Sequence, residues 1–137
     1  MVSQQEDKDD FARAMDEDRI PLLILPIGPL GVEFVQVDTG RGSEDHTCRV
    51  YDRTWSRMVY PFRQSPADPS QKPRLLAEMI RLAEILAAGW DFVRIDLYSP
   101  SHERILFGEI TFTPSAGWQK FTDKAFDTEI GSAWHLT

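Results

Sequence analysis

The spacing of hydrophobic and polar residues changes several times along the chain, and each spacing predicts an element. Val32, Phe34 and Gln36 alternate with Glu33, Val35 and Val37, which suits a strand buried over most of both sides. Val50, Tyr51, Trp55, Val59 and Tyr60, within 49–62, suit short strands around a turn, and the Ser, Pro and Asp residues of 64–73 read as a loop. Behind Pro73, residues Leu75, Leu76, Met79, Ile80, Leu82, Ala83 and Leu86 recur at helical spacing until Gly89, predicting a helix over 74–88. A second helix is expected after Thr122, a suitable N-cap, because Phe126, Ile130 and Trp134 share one face.

Between these helices, Asp91 to Tyr98 and Arg104 to Thr113 read as two strands joined by a tight polar loop. In the first, Val93, Ile95 and Leu97 alternate with Phe92, Arg94, Asp96 and Tyr98. In the second, Leu106, Gly108, Ile110 and Phe112 alternate with Ile105, Phe107, Glu109 and Thr111. Burying the two apolar sides together sets the parity of the pairing. A loop centred between His102 and Glu103 then places Asp96 opposite Glu109, Arg94 opposite Thr111, and Leu97 opposite Gly108. The expected architecture is α+β, an antiparallel sheet of strands near 32–37, 92–98 and 104–112, with helices packed on one face and the carboxylates on the other.

Two carboxylates directly opposite one another repel, so this arrangement calls for a positive charge between them, a proton, or a function. Magnesium would supply the charge, since it takes oxygen ligands and commonly only one or two carboxylates, with water and phosphate completing its shell. Arg94 would then lie free to meet a phosphate oxygen. The alternative is that Arg94 itself pairs with Asp96 or Glu109 on a solvated sheet face. Spacing leaves both open.

Composition narrows the partners. The formal charge of −7 is mostly local: residues 1–18 hold seven acids against Lys8 and Arg13, leaving −2 for the rest of the chain. Residues 1–19 read as a disordered acidic tail and 20–137 as one domain. Without a basic run there is no electrostatic footprint for nucleic acid. The longest apolar stretch, Pro21 to Leu30, is too short to span a bilayer and is broken by three prolines. Cys48 is the only cysteine, which fits a reducing compartment, so cytoplasm is the expected location. A lone thiol is more often inert than nucleophilic. Three widely spaced histidines make no zinc signature.

Arg94, Asp96 and, thirteen positions after the aspartate, Glu109 resemble the Arg-x-Asp strand and following Glu of the ATP-grasp superfamily's carboxy-terminal lobe. The phrases FVQVDTGR, DFVRIDLY and GEITFTP resemble, more narrowly, the TupA-like ATP-grasp group of teichuronopeptide and cell-surface polysaccharide biosynthesis, from about Val32 to the end. The resemblance implies ATP and magnesium as cofactors. It puts the metal on Asp96 and Glu109, with Thr111 standing where the superfamily often has a ligating Asn, and makes Arg94 the catalytic residue that steadies the phosphoryl group. Arg41, His46 and Arg49 lie where the resembling proteins also carry Arg and His, and are candidates for gripping a carboxylate or sugar-acid substrate. A charged surface loop is the plainer reading of that stretch. The implied reaction is ATP-dependent carboxylate activation followed by attack of a nucleophile.

Two departures from the family qualify that activity. The superfamily's amino-terminal lobe supplies a Gly-rich loop and lysines, whereas here a short acidic tail precedes Pro21 and no lysine occurs between Lys8 and Lys72. After GEITFTP the chain has Ser115 and Ala116 where a glycine is expected. The expectation is a truncated, ligase-like lobe inactive alone, or one completed by a partner chain or by self-association. The other reading is a non-catalytic module that binds nucleotide or acidic glycan.

Overall fold

The computed structural model of the chain describes residues 21–26, 31–39, 47–56, 58–59, 72–99, 103–112 and 121–132. The acidic tail, the 40–46 loop and Trp134 lie outside the described residues. The strands are β1 (Pro21–Pro26), β2 (Val32–Thr39), β3 (Thr47–Asp52), β4 (Met58–Val59), β5 (Arg94–Tyr98) and β6 (Leu106–Thr111). The helices are α1 (Leu76–Leu86) and α2 (Lys124–Ser132). All six strands join one antiparallel sheet in the order β4-β3-β2-β1-β5-β6. The α+β class and the antiparallel sheet are as expected, and so is a helix across one face.

The alternation read from the sequence sorts residues between the faces. Val35, Val37, Tyr51, Ile95 and Leu97 turn to one side, where they meet Leu76, Met79, Ile80 and Ala83 of α1 in the main core. Those four helix positions fall three and four residues apart, the stripe an amphipathic helix buries. On the other side Phe34 and Val50 meet Phe126 of α2, with Phe92, Phe121 and Ile130 around them. The Phe34 and Phe126 rings touch edge to face at 5.0 Å. One helix therefore covers each face, so that α2 shares the carboxylate face instead of joining α1 on the other as the sequence reading had it.

Three further details differ from the sequence reading. β1 was not expected: its six residues begin and end with proline and lack an alternation, yet it runs between β2 and β5 near the middle of the sheet. Proline is tolerated at strand ends and irregular positions, and Pro26 sits where the β1–β2 register shifts. The same shift lets Val32 join the α1 side with Val35, against strict alternation. The second helix is capped by Asp123, not Thr122: Asp123 Oδ1 accepts from the N–H groups of Ala125 and Phe126 at 2.9 and 3.1 Å.

Side chains tie α1 and the β3–β4 turn to the sheet. Glu84 Oε1 accepts from the Val32 N–H at 3.1 Å and pairs with Arg53 at 3.2 Å. Gly31, at φ 81°, lies so close to that carboxylate that a Cβ would overlap it. In the turn, Asp52 accepts from the Thr54 and Ser56 N–H groups, both at 3.0 Å, and from both hydroxyls. Burial pushes the Asp52 carboxyl up, but these hydrogen bonds outweigh it and hold the group below the usual carboxylate range. They also hold Trp55 at φ 63°, with its indole stacked 3.8 Å from the Tyr51 ring.

The third difference is the β5–β6 register. Arg94 pairs with Thr111 and Ile95 with Ile110, as expected, but Leu97 then pairs with Phe107 rather than Gly108. β6 carries an extra residue here, so Gly108 and Glu109 together face Asp96. Gly108 makes the bulge possible, because a Cβ there would lie 2.5 Å from Tyr98 Cε2 and 3.0 Å from the Asp96 carbonyl oxygen. Gly108→Ala should therefore destabilise the fold by about 1–3 kcal/mol through overpacking against backbone. Gly131→Ala, in α2 with open space around its Cα, should stabilise it by roughly 0.5 kcal/mol. Urea midpoints at unchanged m would check both, and equal shifts would contradict the assignment of Gly108 to a close approach.

Candidate functional site

β5 is an inner strand packed on both sides, and every residue in it except Arg94 is buried. Asp96 is among the buried residues, with 2% of its side chain exposed. A carboxylate taken so far out of water needs a counter-charge and hydrogen bonds. Arg94, two residues earlier on the same strand, shares its face and provides both. Its Nε donates to Asp96 Oδ1 at 2.9 Å and its Nη2 to Asp96 Oδ2 at 3.1 Å. This fork is the strongest common form of an ion pair.

The same Nη2 donates to Glu109 Oε1 at 2.8 Å and lies 3.3 Å from Thr111 Oγ1. Thr111 in turn donates to Glu109 Oε1 at 3.0 Å. Oxygens from Asp96, Glu109 and Thr111 thus surround one positively charged nitrogen. Burial is uneven across the cluster: Arg94 is 13% exposed and Glu109 58%. The cluster is closed on the β5 side and open to solvent on the β6 side. Of the two sequence alternatives for the charge between the acids, Arg94 fills that role in this structure, although Asp96 is not solvated as that alternative assumed.

The donors suit a hard divalent cation. All three are oxygen donors, two of them carboxylates, and the open side at Glu109 leaves room for water or phosphate oxygens. Among the described residues, no three His, Cys, Asp or Glu side chains converge, which is compatible with magnesium because that ion commonly uses one or two carboxylates.

Further polar residues share this sheet face. Leu22 pairs with both Val37 and Leu97, so Gln36 and Asp38 on β2 lie on the same side as Asp96. The separation is two strand spacings, about 10 Å. Gln36 Nε2 donates to Asp38 Oδ1 at 3.0 Å, and Asp38, itself buried, pairs across β3 with Cys48. Burial first, then the Asp38 carboxylate, push the Cys48 thiol far above its ordinary range, which favours its protonated form. The sequence reading passed over Gln36 and Asp38. Strand parity with Phe34 was the signal that could have found them.

The candidate residues are thus partly brought together. Arg94, Asp96, Glu109 and Thr111 form one cluster. Arg49 pairs across the sheet with Val37, on the α1 side and away from that cluster. Arg41 and His46 lie outside the described residues.

Comparison with known proteins gives the chain its class, that of the ATP-grasp proteins. More narrowly, the chain belongs to the TupA-like ATP-grasp family, whose model matches residues 30–135. The matched span contains all four clustered residues as well as Arg41, His46 and Arg49. No curated protein and no solved structure matches the chain. Among the described residues, no helix is long and apolar enough to cross a membrane.

The uneven burial predicts uneven mutational costs. Asp96→Asn removes the charge that compensates a nearly buried guanidinium and should cost about 3 kcal/mol. Glu109→Gln, at the exposed rim, should change stability by less than about 1 kcal/mol. Chemical denaturation of both variants would measure the difference, and equal costs would contradict the geometry.

Proposed function

We propose that the chain is the metal- and phosphate-binding lobe of an ATP- and magnesium-dependent, ligase-like enzyme acting in bacterial cell-surface polysaccharide or teichuronopeptide synthesis. The observation that carries this reading is the convergence of oxygens from Asp96, Glu109 and Thr111 on one cationic nitrogen, Nη2 of Arg94. Family membership supports the nucleotide: ATP-grasp enzymes generally use ATP and magnesium and act on carboxylates. Asp96, Glu109 and Thr111 would hold magnesium, which neutralises charge on the transferred phosphate. Arg94 would grip a phosphate oxygen and stabilise the charge that develops during transfer.

The chemistry assigned to the site is phosphorylation of a substrate carboxylate by ATP, with ADP leaving. Attack of an amine or another nucleophile on the acyl phosphate then expels inorganic phosphate. We assign the acidic substrate to Arg41 and His46 in the segment between β2 and β3, whose charges suit a carboxylate or sugar acid. Arg49, on the α1 side, is left out of that assignment. We place the chain in the cytoplasm, where ATP would be at hand and a lone cysteine would stay reduced.

A nucleotide resting on one sheet face needs a second surface over it, which we assign to another lobe or chain. β6 is an edge strand, so a lobe reaching the site past that edge would meet exposed apolar side chains. Phe107 is exposed on β6, and so is Phe112 just beyond it, whose ring lies 4.6 Å from that of the exposed Trp90.

The test is the thermal midpoint of the chain with magnesium and ATP together, using Glu109→Gln as the control that keeps the fold. The expected result is a rise of about 3 °C with ligand at several times its dissociation constant, lost in the variant. A wild-type chain that melts cooperatively at the same temperature with and without ligand would contradict the proposal.

A further inference from the structure

We propose that Arg94 is the resident counter-ion of the acid pair and is exchanged for the metal, so that magnesium binding and phosphate capture by Arg94 are one coupled event. This rests on reading the acid pair as a magnesium site. Arg94 engages both oxygens of Asp96, at 2.9 and 3.1 Å, and Oε1 of Glu109 at 2.8 Å. It therefore satisfies the same oxygens a divalent ion would need. A divalent ion on those oxygens and a guanidinium still holding them would repel strongly in so dry a place.

The geometry also says which side gives way. Asp96 is held in an inner strand, whereas Glu109 sits at the open rim with 58% of its side chain exposed. Magnesium arrives past Glu109, and the guanidinium moves off its carboxylate partners. The displaced fork, planar and always charged, finds its natural new partner in a phosphate oxygen pair.

Two consequences follow for binding. Magnesium alone binds weakly, because the competent state is only the fraction of molecules in which Arg94 has let go. Phosphate favours magnesium, and magnesium favours phosphate by the same factor, because each stabilises the exchanged state. Arg94 thus acts as a gate that favours the metal–nucleotide complex over free metal.

The experiment is a calorimetric titration of the full chain with magnesium chloride alone, comparing wild type, Arg94→Met and Glu109→Gln. The expected result is a dissociation constant about tenfold lower in Arg94→Met than in wild type, with Glu109→Gln weaker than both. Arg94→Met binding no tighter than wild type, while Glu109→Gln is weakened, would overturn the exchange and leave the magnesium site standing. Heat-silent titrations in all three, repeated with inorganic triphosphate, would overturn the exchange and the metal site together. Should Arg94→Met fail to fold, nitrogen-15 NMR of the wild-type Arg94 Nε–H supplies the second readout. Its proton should exchange with water faster once magnesium is saturating. An unchanged rate with magnesium bound would overturn the proposal.

Discussion

A carboxylate with 2% of its surface exposed, in the interior of an antiparallel sheet, would be a heavy penalty without a partner, and Arg94 is the partner that makes Asp96 possible. The pair lies along one strand, i to i+2, so it needs no tertiary contact to bring the two side chains to one face. What the tertiary structure adds is the third and fourth members, Glu109 and Thr111 from β6, gathered by the same guanidinium nitrogen. The polar cluster is thus local in origin and non-local in completion.

Everything around the pair serves to keep it dry on one side and open on the other. The α1 face carries the apolar stripe of the helix and the alternate residues of β2, β3 and β5, and supplies the main core. The opposite face is divided, with the α2 aromatic cluster around Phe34 and Phe126 over part of it. The β6 bulge lets Tyr98 pack against the space that Gly108 leaves and turns Phe107 to the α1 side opposite Leu97. Bulges beside functional clusters commonly re-aim side chains in this way.

The parts of this arrangement that could be read from the sequence are those set by local periodicity. Alternation along β5 and β6 put Arg94, Asp96, Glu109 and Thr111 on one face, and the spacing of Leu76, Met79, Ile80 and Ala83 gave α1. The parts that could not be read depend on contacts between distant residues. β1 hid because its prolines argue against a strand and its pairing partners, β2 and β5, lie far apart in sequence. The bulge hid because alternation assumes one residue opposite one, and only the approach of Tyr98 to Gly108 reveals the extra one. Thr122 and Asp123 are both good caps, and backbone geometry alone chose between them. The identity of the charge between the acids was open because Arg94 could reach either carboxylate or neither.

The account stands most directly on the claim that, in the metal-free protein, Arg94 is held mainly by Asp96 and only lightly by Glu109. Double-mutant cycles for Arg94 with each acid, measured by denaturation in the absence of metal, test it. The predicted coupling is about 2–3 kcal/mol with Asp96 and under about 1 kcal/mol with Glu109. Equal couplings, or a larger one to Glu109, would contradict an arginine whose main counter-charge in the metal-free protein is Asp96.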